Sequence, residues 1–253
     1  MLTRFRERGQ RKAEQPPQAM TLVQHLTELR NRIIIAMIAI AVGGIIGFLL
    51  YNPVLEILQD PYCKIQPEMC DFVVTDPLES FSIRLKVSAY IGLLVASPVV
   101  LWQLWRFVTP GLYAKEKKYA VPFVISGVTL FALGAGLALW TFPQALKFLD
   151  GVGGDNVTAL YSPGKYLSLI IFMMLSFGLG FEFPIVLVFL QIAGIVTWRR
   201  LASWRRYAIV VIFVIDAVIT PSADPISLLA LAIPMCIFYE VAILIGRFVL
   251  KRG

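Results

Sequence analysis

Six apolar segments constrain this chain more than any other feature, and the first four are long enough to cross a lipid bilayer as helices. A helix needs about 20 apolar residues to span the hydrocarbon core. Hydrophobic residues make up 58% of the sequence and charged residues only 15%, which is less charge than a soluble domain carries. The sequence therefore predicts an all-α, polytopic membrane protein with six transmembrane helices. The segments cover residues 33–51, 84–104, 121–142, 166–193, 207–220 and 226–246.

The last two segments leave a second arrangement open. The fifth is short and ends just before Pro221, and the sixth contains Pro234. Short spans require local thinning of the bilayer or shelter by neighbouring helices. The main prediction is two separate spans, and the alternative joins them into a re-entrant hairpin.

Lysine and arginine residues predict the orientation. Cytoplasmic segments of membrane proteins are enriched in these residues, and 18 of the 23 lie in four segments, namely 1–32, 105–120, 194–206 and 247–252. We therefore expect both termini to be cytoplasmic and the protein to reside in the cell membrane. This topology also explains the net charge of +7, so no nucleic-acid partner is expected. The predicted organisation is a disordered basic tail over 1–19, a membrane domain over 20–249 and a short tail over 250–253.

A polar helix start precedes the first span. Thr21 and Gln24 fit a capping box, which predicts a helix that begins at residue 21 or 22. Glu28 then lies at the water boundary, directly before the apolar run. A carboxylate in that position suits the capture of a cation.

Charged residues inside the predicted spans each need an explanation, because insertion scales assign them a cost of about 2.5–3.5 kcal/mol. Glu182 is the deepest, and no basic residue is predicted at its depth. Its functional interpretation is a polar site on a concave face that meets a partner or a polar substrate. The structural alternative is an interhelical hydrogen bond. Asp216 is expected to reach the outer interface, and Glu240 is expected to pair with an arginine of a loop.

Cys63 and Cys70 lie seven residues apart in the first external connection. An oxidising compartment permits a disulfide there, and the alternative is two free thiols. The sequence contains no metal-ligand cluster, no nucleophile beside a base and no phosphate-binding glycine loop. We therefore expect no metal, no cofactor and no enzymatic activity.

Several motifs stand in a specific order between residues 20 and 249. They are His25-Leu-Thr-Glu-Leu-Arg30, Ala96-Ser-Pro98, Trp105-Arg-Phe-Val-Thr-Pro-Gly-Leu-Tyr113 with Glu116-Lys-Lys118, Phe181-Glu-Phe-Pro184, Thr220-Pro221 with Asp224, and Ala232-Ile-Pro234 with Tyr239-Glu240. In this order, and on this topology, the sequence closely resembles the TatC family, the multispanning receptor subunit of the twin-arginine protein translocase.

The resemblance implies a concave, glove-like bundle without enzymatic activity that recognises the twin-arginine signal peptides of folded cargo. It assigns Glu28 and Glu116 to the arginine pair, since two carboxylates can hold two guanidinium groups through bidentate contacts. The same motifs give a supporting role to four further residues, Leu29, Arg30, Phe107 and Tyr113.

Partner contacts are also implied by the resemblance. Glu182 would form the polar site where single-span subunits of the TatA and TatB type dock. Asp76 and Pro77 would contact the signal peptide and the partners. The family further implies a homo-oligomer within a complex and the proton-motive force as the energy source. One departure is the segment 222–228, which lacks the glutamine that the family often has there.

A secondary transporter of small solutes is the alternative function. Such a protein would show internal repeats and broken helices around a site at the bilayer midplane. The sequence shows no clear repeat, and a single buried glutamate is thin support for a solute site.

Overall fold

Helices make up nearly all of the computed structural model, which describes residues 22–64, 70, 72–74, 76–108, 120–152 and 161–250. No strand occurs within these ranges, so the all-α prediction is confirmed. A π-helical turn, Gly246–Leu250, continues the last helix. In chain order the helices are α1 (Leu22–Leu49), α2 (Tyr51–Cys63), α3 (Glu79–Val108), α4 (Ala120–Val152), α5 (Pro163–Phe181), α6 (Phe183–Ile192), α7 (Trp198–Ser203), α8 (Arg205–Ile219) and α9 (Pro225–Ile245).

Five helical segments of the described chain are long and apolar enough to cross a membrane. The fourth of them consists of α5 and α6, which meet at Glu182. Helix α8, the predicted fifth span, has 15 residues and is shorter than this criterion requires. Because the helix after it is long enough to cross alone, separate spans are favoured over a re-entrant hairpin. The five segments are Val23–Leu49, Glu79–Phe107, Val121–Val152, Pro163–Ile192 and Pro225–Leu250.

Helices α1 and α3 pack through glycines. A methyl group on Gly43 would lie 2.6 Å from the carbonyl oxygen of Gly92, and one on Gly47 would lie 2.5 Å from that of Ser88. A methyl group on Gly92 would lie 2.6 Å from the backbone nitrogen of Gly44. Since lipid is as apolar as a protein core, close backbone approach rather than hydrophobicity selects this contact. The side-by-side packing fixes α1 against α3 along their length.

The two ends of this helix pair are defined by their polar contacts. At one end the His25 ring of α1 stacks on the Phe107 ring of α3, with 4.5 Å between centroids. We call this the Glu28 end. At the other end Glu79, the first residue of α3, contacts Ser162 and Gly164 at the start of α5. We call this the Glu79 end.

An aromatic cluster anchors α2 at the Glu79 end. The Tyr166 ring lies 5.4 Å from both Tyr62 and Phe142, and its hydroxyl donates to the carbonyl of Leu58 at 2.9 Å. A disulfide joins Cys63, the last residue of α2, to Cys70. These contacts tie the first connection to the core of the bundle.

Two acidic residues near the end of α8 are buried. The expectation that Asp216 reaches the outer interface is wrong, since only 1% of the residue is exposed. Helix α8 turns Ile212 and Asp216, one turn apart, away from its exposed face. Asp224 is equally buried and serves as the N-cap of α9, where its Oδ1 accepts from the Ser227 amide at 2.7 Å.

The expected pairing of Glu240 is confirmed. Both of its carboxylate oxygens accept from Arg205, from Nε and Nη2, each at 2.8 Å. Arg205 belongs to the basic segment 194–206. The bidentate contact joins the start of α8 to α9.

Candidate functional site

The predicted cation-binding carboxylate, Glu28, lies in the second turn of α1 and is held by Arg32. Arg32 Nη2 donates to Glu28 Oε1 at 2.7 Å, and Arg32 Nη1 donates to Gln103 Oε1 of α3 at 3.1 Å. Residues four apart on a helix face the same side, so the sequence spacing produces the first contact. Gln103 ties this charged pair to the neighbouring helix.

Only one oxygen of the Glu28 carboxylate is used in this arrangement. Within the described chain, Oε2 accepts no hydrogen bond, and the side chain keeps 20% of its surface exposed. The carboxylate lines a shallow groove on α1 together with Gln24, Thr27 and Asn31. An incoming guanidinium group can therefore donate to Oε2 while Arg32 keeps Oε1.

The supporting residues are only partly described. Phe107 is half-buried beneath the His25 ring. Leu29 is half-buried, whereas Arg30 is exposed and projects from the same turn of α1. Glu116 and Tyr113 lie outside the described residues. The structure thus brings Glu28, Phe107 and the intervening polar side chains to one end of the bundle.

Glu182 occupies the junction between α5 and α6. It is half-buried, and its Oε1 has no hydrogen-bond partner in the described chain. The carboxylate faces α4, where a methyl group on Gly127 would lie 3.2 Å from Oε2 and 2.9 Å from the Leu101 side chain of α3. The missing side chain at Gly127 therefore leaves room for a carboxylate among three helices.

Asp76 and Pro77 lead into α3 at the opposite end of the molecule. Asp76 is exposed, and its Oδ1 accepts from the Leu78 amide at 2.8 Å. Its carbonyl also accepts from the Glu79 amide at 3.0 Å. Asp76 thus shapes the turn that begins α3, and it is separated from the Glu28 end by the length of that helix.

Glu28 stood out in the sequence, but neither its contact with Arg32 nor the part played by Gln103 was foreseen. The i, i+4 spacing of Glu28 and Arg32 was a usable signal for their pairing. Gln103 lies 71 positions from Arg32, and its role depends on how α1 and α3 pack. Nothing in the local sequence around Gln103 indicates such a contact.

Comparison with known sequences gives one family. The model of the family described as "Sec-independent protein translocase protein (TatC)" matches residues 24–234. A TatC protein of Frankia casuarinae is 41% identical over 249 residues, covering 92% of this chain and 68% of that protein. A TatC protein of Aquifex aeolicus is 41% identical over 236 residues, covering 92% of this chain and 97% of that protein.

Comparison with solved structures agrees. A crystal structure of the twin arginine translocase receptor TatC in the detergent DDM aligns with a TM-score of 0.74 and 42% sequence identity. It covers 88% of this chain and 99% of that one. A second crystal structure of that receptor aligns with a TM-score of 0.73 and 41% identity.

Proposed function

Because the chain belongs to the family of Sec-independent protein translocase proteins named TatC, we propose that it acts as the receptor subunit of a twin-arginine translocase. It is a multi-pass membrane protein and a translocase component. As the receptor it binds the twin-arginine signal peptides of folded proteins and provides the scaffold on which the translocation site assembles. The similarity supports this function and gives no support to the alternative of a small-solute transporter.

The observation that carries the proposal is the carboxylate of Glu28, whose Oε1 is held by Arg32 while Oε2 accepts no hydrogen bond in the described chain. Hydrogen bonds between a guanidinium and a carboxylate are charge-assisted and roughly twice as strong as neutral ones. Arg32 and Gln103 hold Glu28 in place before any peptide arrives, so little side-chain freedom is lost on binding. Glu116, which lies outside the described residues, is the second carboxylate of the proposed pair.

Glu182 is the proposed contact for the partner subunits. The residue is half-buried, so a polar side chain of a single-span partner helix can approach it. Its Oε1 is buried without a hydrogen-bond partner in the described chain and would gain one by turning toward that helix. In this proposal the Glu28 end faces the cytoplasm, together with both termini. Asp76 and Pro77 contact the peptide or the partners on the other side, and several copies of the chain assemble in the complex. The chain's family implies that the proton-motive force drives transport.

Site-specific photocrosslinking tests the peptide site. A photoreactive residue at Thr27 or Asn31 lies in the groove beside Glu28 and leaves that carboxylate intact. We expect crosslinks to an Arg-Arg signal peptide, and weaker crosslinks to a Lys-Lys peptide because a lysine cannot form the bidentate contact. A photoreactive residue at Ile57, which is exposed on α2 at the opposite end, serves as the control site.

The Glu28→Gln background completes the test. Loss of the Arg-Arg crosslink in this background would support the proposal. Equal crosslinking of Arg-Arg and Lys-Lys peptides, or crosslinking that persists in Glu28→Gln, would mean that Glu28 is structural. Robust gradient-driven solute flux in liposomes containing only this protein would favour the transporter instead.

A further inference from the structure

A groove between α3 and α5 opens at the Glu79 end. Its polar wall is formed by Ser82 and Lys86 of α3 and by Lys165 and Ser168 of α5. Its apolar wall is formed further along α5, by residues that include the exposed ring of Phe172. We call it the lysine groove. It lies at the end of the bundle opposite Glu28 and shares no residue with the groove beside that carboxylate.

Both lysines of the groove have N–H donors that no described residue accepts. Lys86 Nζ donates to Ser168 Oγ at 3.1 Å, and that hydroxyl donates in turn to the Gly164 carbonyl at 2.7 Å. This single contact leaves two of the three Nζ protons of Lys86 without an acceptor in the described chain. Lys165 is exposed, and its side chain has no hydrogen-bond or ion-pair partner among the described residues.

The nearby carboxylate is already engaged. Glu79 Oε1 accepts from Ser162 Oγ at 2.6 Å and from the Gly164 amide at 2.9 Å. It therefore caps the start of α5, where the helix dipole favours negative charge. Among the described residues that line it, the groove carries two ammonium groups against one carboxylate, so an anionic ligand fits it better than a cationic one.

Polarity changes along the groove in the direction of the membrane. Lys86 lies seven residues after Glu79, which is about 10 Å along a helix. Phe172 follows Ser168 by four residues, one further turn into the bundle, and 62% of it is exposed. A ligand that fills the groove thus needs an anionic part beside the lysines and an apolar part beside Phe172.

We propose that the lysine groove binds an anionic phospholipid. The phosphate accepts from Lys86 and Lys165, and the hydroxyl of Ser82 lines the same wall. One acyl chain lies along Leu169 and Phe172. A free phosphate ion would satisfy the lysines but not the apolar wall. A zwitterionic headgroup would bring a further cation to a groove that already holds two lysines.

Native mass spectrometry of the full chain in detergent tests the proposal, with titrations of phosphatidylglycerol and of phosphatidylcholine with the same acyl chains. We expect one tightly retained phosphatidylglycerol. Each of Lys86→Gln and Lys165→Gln should weaken its binding about fivefold, and the double variant about 20-fold. The binding free energy that one lysine contributes near an anionic lipid surface corresponds to about a fivefold change in affinity. Lys147→Gln removes a lysine from another groove near the same end and should leave binding unchanged.

Charge-retaining variants and an ion control separate the explanations. Lys86→Arg with Lys165→Arg should retain the lipid, and thermal unfolding without lipid should show that the glutamine variants fold. Inorganic phosphate alone should not raise the unfolding temperature. Equal binding of the two lipids, an equal loss in Lys147→Gln, unchanged binding in the double glutamine variant, or equal stabilisation by phosphate alone would each overturn the assignment.

Discussion

The two ends of the α1–α3 pair treat charge in opposite ways. At the Glu28 end an acid is offered, since one oxygen of Glu28 is held by Arg32 and the other accepts nothing in the described chain. At the Glu79 end the carboxylate of Glu79 accepts hydrogen bonds at the start of α5. The ammonium groups of Lys86 and Lys165 keep donors that no described residue accepts. The first site therefore offers an unused acceptor oxygen within a neutral ion pair, and the second offers unused ammonium donors.

Two neighbouring cations of α3, Arg84 and Lys86, differ in how they contact the rest of the protein. Arg84 and Lys86 are two residues apart, so they lie on different faces of α3. The Arg84 guanidinium lies 4.1 Å from the Phe48 ring centre and 5.1 Å from that of Tyr51, whereas Lys86 has only the hydroxyl of Ser168. Arg84 is half-buried against two aromatic rings and stabilises the fold, whereas Lys86 is exposed and keeps two N–H donors for a ligand.

The largest effect is expected from Gly92→Ala, which would disturb both ends together. The added methyl group would lie 2.6–2.8 Å from backbone atoms of Gly44 and Ile40, and overpacking of this kind costs about 1–3 kcal/mol. Thermal unfolding in detergent measures it. Gly136→Ala is the matched control, because nothing lies within 4 Å of a methyl group there. It should be neutral or stabilising, and equal destabilisation of both variants would argue against a tight α1–α3 contact.

Glu28→Gln should remove most of the peptide affinity without loss of fold. The amide keeps an acceptor for Arg32 but loses the charge, and hydrogen bonds to charged groups contribute about 1.5–3 kcal/mol. We expect binding of an Arg-Arg signal peptide to weaken by about tenfold or more, measured by fluorescence anisotropy with a labelled peptide. Unchanged affinity would show that the free oxygen of Glu28 is not used.

Arg84→Gln should lower stability, in contrast to its neighbour Lys86→Gln. The loss of the contacts with Phe48 and Tyr51 should cost about 1 kcal/mol, measured by thermal unfolding without added lipid, where Lys86→Gln should change little. Burial raises the pKa of the Tyr51 hydroxyl, and the Arg84 charge opposes that rise. The pKa of Tyr51, followed by site-specific NMR, should therefore increase further in Arg84→Gln. Equal stability of the two variants would remove the distinction between them.

The smallest effect is expected from Glu240→Gln. This carboxylate uses both oxygens on Arg205, and about half of each side chain is exposed. Exposed pairs contribute about 0.5 kcal/mol or less, and added salt should reduce the difference further. Peptide affinity should stay at the wild-type value, which makes this variant the charge-matched control for Glu28→Gln. A loss of affinity as large as in Glu28→Gln would mean that any lost carboxylate weakens binding.

The sequence predicted the apolar spans, the all-α fold class and the ion pair of Glu240, because each depends on local composition or spacing. It did not predict which face of a span is buried. Every position of α8 around Asp216 is apolar, and in lipid an apolar residue is equally suited to the core and to the outside. For that reason the burial of Asp216 was missed. The contact of Arg32 with Gln103 was missed for a related reason, since it depends on packing between helices distant in sequence.

The glycine contact between α1 and α3 has a consequence for the tolerance of α1 to substitution. Gly43 and Gly47 are the only buried residues among the described positions of this helix. Most of the remaining apolar side chains of its membrane-spanning part are exposed, apart from the half-buried Ala36, Ala39 and Ile40. The exposed ones are interchangeable with others of similar size. The sequence of this span is thus most constrained at its glycines, and random exchange among its exposed leucines, isoleucines and valines should leave a functional protein.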